Sequence, residues 1–155
     1  MYIVETSTNY KHNIEILSLE DEDYKSLSKS RYFFDWKIEK EFEVFKLKIF
    51  ATNDILGLIS IQRIPEEWRV HIRLLTVSKE NMGRFKKYDL ITGNLIAFAA
   101  KIAVADFGEF ACVSLRPKTQ LALHYIEKYN MRATGMTLSI EVPEIIDLIN
   151  HYDNE

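Results

Sequence analysis

From Tyr88 to Asp106, the apolar residues Tyr88, Ile91, Leu95, Phe98, Ile102 and Ala105 recur every three or four positions. That spacing makes one stripe on an α-helix and predicts a helix over the whole stretch. Asp89 is the candidate N-cap, and Gly108 stands just beyond the end as a left-handed stop. The segments around this helix carry a different period. Val44–Ala51 alternates Phe45, Leu47 and Ile49 with Lys46 and Lys48, the pattern of a half-buried strand. Asn53-Asp54 signals a turn, and Ile55–Ile64 reads as a second strand, with Gly57 where a side chain would be in the way. Pro65-Glu66-Glu67 turns the chain into a third strand, Trp68–Ser78, where Val70, Ile72 and Leu74 alternate and Leu74-Leu75 suggests a bulge.

The flanks complete the order. Asn13–Leu19 reads as a short strand, and Glu20–Lys29 as a short helix capped by Ser18 or Asp21. Arg31–Trp36 is an aromatic patch, and Lys37–Glu43 a helical turn or loop. Phe110–Leu115 is apolar enough for a central strand. Pro117 opens a helix over Lys118–Tyr129, which Asn130 stops. Ala133–Val142 is a last strand, and Glu144–Tyr152 a terminal helix after Pro143. The sum is an α/β (α+β) domain: a mixed, mostly antiparallel twisted sheet flanked by helices, in one domain spanning residues 1–155.

Composition narrows the function classes. Hydrophobic residues are 47% of the chain and charged residues 28%, an ordinary globular balance. A net charge of −3 argues against a general nucleic-acid binder. The single cysteine, Cys112, forbids an intrachain disulfide, and its neighbours Phe110, Ala111 and Val113 point to an inert core thiol. Apolar stretches such as Leu95–Ala100 are too short to span a bilayer, and the N-terminus lacks the charged and apolar regions of a signal peptide. The expectation is a cytoplasmic protein with no membrane partner. His12, His71, His124 and His151 make no metal motif with Cys112. Lys79–Tyr88 gathers Lys79, Arg84, Lys86 and Lys87 against Glu80 alone. Either it is a solvated loop, or it receives an anionic ligand.

Strand, basic loop, long helix, strand, helix, strand resembles the GNAT superfamily of N-acetyltransferases. Leu75-Thr76-Val77 resembles the Leu-x-Val end of that family's fourth strand, and Gly57 the glycine common in its third. His124-Tyr125-Ile126-Glu127-Lys128-Tyr129-Asn130-Met131 resembles its Phe-Tyr-Glu-Lys-x-Gly-Phe signature. The match covers roughly residues 44–140.

The resemblance implies an acetyl-CoA-dependent transfer to an amine, small-molecule or peptide, in a ternary complex. It also implies a homodimer, since dimers are common in that family. The cofactor's pyrophosphate would meet the loop and helix start, Lys86, Lys87, Tyr88, Asp89, Leu90, Ile91, Thr92 and Gly93, with Leu75 and Val77 beside it. The family pattern is Gln/Arg-x-x-Gly-x-Gly/Ala. Lys87 keeps its positive charge, Leu90 and Thr92 replace both small residues, and Gly93 falls one position late. Tyr125 matches the tyrosine that protonates the leaving thiolate, or it is a packed helix tyrosine. His71 lies near the place of the family's basic glutamate, or is a surface strand histidine. Lys118 stands where an asparagine meets the cofactor, and either reaches a phosphate or faces solvent. Tyr32, Phe34 and Trp36 fall where the acceptor pocket is shaped, or pack a core or dimer contact. The altered loop also admits a catalytically inactive binding or regulatory protein of the same fold.

Overall fold

Glycine at position 57 marks where the long helix meets the sheet. A Cβ there would lie 2.8 Å from Ile91 Cγ2, 3.0 Å from Leu95 Cδ1 and 3.3 Å from the Thr76 carbonyl oxygen. The computed structural model describes residues 1–117 and 122–153, with the backbone alone at 122 and 123. Among these residues nine strands hydrogen-bond in the order β6-β1-β2-β3-β4-β5-β7-β9-β8. They are β1 (Tyr2–Glu5), β2 (Lys11–Ser18), β3 (Glu43–Ile49), β4 (Ile55–Ile64), β5 (Arg69–Val77), β6 (Tyr88–Asp89), β7 (Cys112–Leu115), β8 (Arg132–Thr134) and β9 (Thr137–Glu141). The helices are α1 (Lys29–Tyr32), α2 (Ile91–Phe107), α3 (Ala122–Tyr129) and α4 (Glu144–Asp153). β5 and β7 run parallel; β1–β2, β1–β6, β2–β3, β7–β9 and β8–β9 run antiparallel. The result is the mixed α/β sheet expected.

Contacts divide the chain into two compact units. The first comprises Met1–Ser60 and Leu74–Leu95. In it β4 is buried at six consecutive positions, Ile55–Ser60, as a central strand must be. β3 departs from strict alternation. Val44 and Leu47 are the buried positions, while Lys46 and Lys48 are half-buried on acids. Lys46 Nζ donates to Asp23 at 2.8 Å, and Lys48 Nζ lies 2.7 Å from Glu15, its direct cross-strand partner. A core cluster joins Tyr24, Tyr32, Trp36, Val44, Ile55 and Leu58. The Glu20–Lys29 helix is a 3-10 turn over Asp21–Ser26, and Glu20 is its cap rather than Ser18 or Asp21.

The second unit comprises Ile61–Arg73 and Ile96–Asn154. Rows of side chains cross its strands in register. Val70, Val113 and Ile140 form one buried row, and Ile72, Leu115 and Leu138 the next. On β5 Val70 and Ile72 are buried, and Leu74 and Leu75 are both half-buried. Both α3 and α4 pack against β9. The last strand signal, Ala133–Val142, is a hairpin: Gly135 at φ +70° turns β8 into β9. Phe110 belongs to a 3-10 turn before β7 and is exposed.

The long helix differs from the sequence reading at its start. Tyr88 and Asp89 form β6 on β1, and the helix begins at Ile91. Its most buried residues are Leu95, Ile96, Ala97, Ala99, Ala100 and Ala103, whereas Phe98 and Ile102 are half-buried and Ala105 is exposed. Its end is as expected, with Gly108 at φ +58°. By length and composition, Ile91–Phe110 suffices to cross a membrane, contrary to the count of uninterrupted apolar residues. Half of that window is buried inside the protein, the condition in which a core helix reaches the same hydropathy.

Candidate functional site

The first unit carries the loop that joins β5 to α2. Asn81, itself buried, ties the two ends of this loop together. Its Nδ2 donates to Ser78 Oγ at 2.8 Å, and its Oδ1 accepts the Tyr88 N–H at 2.9 Å. Glu80 receives the Arg31 guanidinium, which also lies 2.9 Å from Asp54, and that pairing holds its carboxyl below the usual range. Thr6 fixes the next residues: its N–H donates to the Lys87 carbonyl at 3.0 Å and its hydroxyl to the Lys86 carbonyl at 2.7 Å.

Leu90 sits at φ +78°, a conformation costing a non-glycine residue roughly 1–2 kcal/mol. Its carbonyl accepts the first intrahelical bond, from the Asn94 N–H at 3.2 Å. Leu90 is therefore the N-cap residue of α2, and Asp89 is not. Asp89 instead turns its carboxylate onto the Leu90 N–H at 2.8 Å, with Lys86 Nζ 2.9 Å away. The amides of Ile91, Thr92 and Gly93 precede that first bond, at the positive end of the helix dipole. Lys87 is exposed, its ammonium 5.5 Å from the Tyr88 ring centre. The loop thus fits a phosphate in part: amides and cations are present, while Leu90 adds bulk and Asp89 a like charge. Leu75 and Val77 lie at the end of β5, both half-buried.

The second unit holds His71 and Tyr125. His71 on β5 pairs directly with Ser114 on β7. Its Nδ1 lies 2.8 Å from Ser114 Oγ and 3.4 Å from Arg69 Nη1, which also donates to Ser114 Oγ at 2.7 Å. A guanidinium has only donors, so Nδ1 is the acceptor and Nε2 carries the proton. Burial, then the charges of Arg69, Arg73 and Arg116, push the imidazole pKa down. His71 is a neutral ring whose Nδ1 is engaged by Ser114 Oγ. Tyr125 is half-buried on α3, its ring 5.8 Å from Tyr129 and 5.9 Å from His124. Burial raises the phenol pKa, so it holds its proton through neutral pH. The Cys112 thiol is likewise pushed up by burial, which keeps it protonated and unreactive. Lys118 lies outside the described residues.

Two of the aromatic candidates are core residues rather than pocket walls. Tyr32 is 2% exposed and Trp36 1%. The Tyr32 hydroxyl donates to the Ile55 carbonyl at 2.8 Å, and the Trp36 indole N–H to the Tyr32 carbonyl at 3.1 Å. Phe34 is half-buried against the same cluster, edge-on to Trp36. Sequence reasoning missed Arg69, Ser114, Arg73 and Arg116. The strict alternation Arg69, His71, Arg73 between Val70 and Ile72 was the available signal.

No family model matches the sequence, and no curated protein matches it. Solved structures do. A mutant form of the spermidine/spermine N-acetyltransferase of Vibrio cholerae is 11% identical, with a TM-score of 0.64 over 86% of this chain and 96% of that one. A GNAT-family acetyltransferase of Elizabethkingia anophelis, solved with acetyl-CoA bound, is 16% identical, with a TM-score of 0.62 over 84% and 99%. The ribosomal-protein-S18-alanine N-acetyltransferase of Escherichia coli is 11% identical, with a TM-score of 0.61 over 84% and 94%. At such identities the likeness speaks for architecture, and the chain has the fold of the GNAT superfamily of N-acetyltransferases.

Proposed function

We propose that this chain is an acetyl-CoA-dependent N-acetyltransferase in which an amine attacks the thioester carbonyl directly. One observation carries the reading. β5 feeds a basic loop that enters α2 with the Ile91, Thr92 and Gly93 amides ahead of the first intrahelical bond. Lys87 and these amides would hold the pyrophosphate, and the backbone at Leu75–Val77 would lie along the pantetheine arm. When bound, the donor supplies an acyl group activated as a thioester. The amine nitrogen would bond to the carbonyl carbon as the C–S bond breaks, the Tyr125 phenol would give its proton to the departing sulfur, and the proton shed by the acylated nitrogen would return to the phenolate through solvent. His71 takes no proton in this scheme, so the amine enters with its lone pair free.

A second reading is a binding or regulatory module of the same fold. Leu90 at φ +78°, in the family's glycine position and with its N–H on Asp89, favours it. The two separate cleanly. The enzyme reading expects acetyl-CoA turnover with an amine, lowered roughly 10²–10⁴-fold in Tyr125→Phe at unchanged acetyl-CoA affinity. Binding without turnover against a broad amine panel would establish the module instead.

A further inference from the structure

Two turns meet where β5 and β7 begin, both in the second unit. Pro65–Glu67 leads into β5 through Trp68, and Gly108–Phe110 leads into β7 through Ala111. Backbone bonds knit them together. The Trp68 N–H donates to the Pro65 carbonyl at 3.1 Å, the Ala111 N–H to the Gly108 carbonyl at 3.1 Å, and the Cys112 N–H to the Trp68 carbonyl at 3.0 Å. On this frame the Trp68 and Phe110 rings lie against each other, their centres 5.4 Å apart and their planes tilted by 31°. Trp68 is nevertheless 53% exposed and Phe110 61%, so the pair stays open to water. Trp68 also holds φ +49°, a backbone that bulky side chains rarely adopt and glycine adopts freely. Strained positions of this kind cluster at sites that bind ligands and partners.

The charge around the rings is acidic. Glu66, Glu67 and Glu109, all exposed, flank them in sequence, against the single cation Arg69. Arg69 is taken by Glu67, its Nε donating at 2.7 Å. The farther Arg63 is held by Asp106 at 2.7 Å. Glu66 and Glu109 have no hydrogen bond or ion pair among the described residues.

We propose that Trp68, Phe110, Glu66 and Glu109 form a docking surface for a basic segment of a partner protein, with an arginine or lysine side chain laid on the indole face. Of the aromatic side chains, tryptophan attracts a cation most strongly. The two unanswered carboxylates supply the complementary charge. A small amine would leave these open rings in water, whereas a chain segment covers both and brings a cation to each acid. The surface does not depend on acetyl transfer.

The test uses the full chain and a fluorescein-labelled, capped Ala-Arg-Ala-Arg-Ala peptide, followed by anisotropy at low ionic strength. The counterpart with citrulline for arginine has nearly the same shape and no charge. The arginine peptide is expected to bind saturably and the citrulline peptide not to. Trp68→Leu keeps an apolar side chain and removes the indole. It and the Glu66→Gln/Glu109→Gln double variant are each expected to weaken binding roughly two- to fivefold. Glu22→Gln, which removes an exposed acid of the first unit, is expected to bind as the wild type does. Absence of saturable binding, equal binding of the citrulline peptide, or full affinity in Trp68→Leu would overturn the proposal. An equal loss in Glu22→Gln would also overturn it, by assigning the binding to the diffuse negative charge of the chain. Sedimentation of the wild type and Trp68→Leu is run alongside. A dimer that Trp68→Leu dissociates would give the surface to a second copy of this chain and refute the basic partner.

Discussion

The Asp89 carboxylate accepts the backbone N–H of Leu90 at 2.8 Å, one residue before the helix whose first-turn amides would meet a phosphate. A resident carboxylate and an incoming phosphate compete for the same positive end. Asp89→Asn removes that charge and releases Lys86 from it. Acetyl-CoA affinity is then expected to rise roughly two- to fivefold, as a helix-end charge of about 0.3–1 kcal/mol implies. Isothermal titration calorimetry reads it, and weaker binding in the variant would show that Asp89 helps rather than competes.

His71 gives a stability dependence with a definite sign. Its pKa in the folded chain lies below the ordinary 6.5, chiefly through burial. Between those two values the unfolded chain binds more protons, so stability falls as pH drops through 6.5 and levels off below the folded pKa. His71→Gln is expected to flatten that part of the curve in urea melts at stepped pH. The same variant separates positioning from base catalysis. Loss of a true general base costs roughly 10²–10⁴-fold in rate. A drop within about tenfold is expected here, because Nδ1 is already occupied by Ser114.

Tyr32 and Trp36 act on stability. Tyr32→Phe leaves the buried Ile55 carbonyl short of a donor, at a cost of about 1–3 kcal/mol. Trp36→Ala opens the core for about 3–5 kcal/mol. Chemical denaturation measures both. At temperatures where the variants stay folded, the acceptor KM is expected to hold, and a selective rise would return these residues to the pocket.

Gly57→Ala tests the seat of α2. The added methyl would sit 2.8 Å from Ile91 Cγ2 and 3.0 Å from Leu95 Cδ1, with the Thr76 carbonyl behind it. A loss of about 1–3 kcal/mol is expected by denaturant melts. A neutral result would mean that the helix start shifts freely.

Long periodic segments were legible in the sequence. β4 occupies the residues its apolar run marked, and Gly108 and Asn130 stop α2 and α3 in left-handed backbone as their types suggest. Short edge elements were not. β1 and β6 have four and two residues, too few to show a period, and their pairing is set by partners far along the chain. Missing β6 displaced the start of α2 and with it the role of Asp89. The aromatic patch left two readings open for a related reason. Tyr32 and Trp36 look the same in sequence whether they line a pocket or fill a core, and the carbonyls that satisfy them decide the matter. The His71 network needed the β5–β7 register, which no local pattern contains.

Titration of acetyl-CoA into the folded wild-type chain, beside Lys87→Gln, tests the central claim most directly. The acetyltransferase account expects saturable binding at or below millimolar concentration, weakened roughly two- to fivefold in the variant. No binding to folded protein at millimolar acetyl-CoA would contradict it.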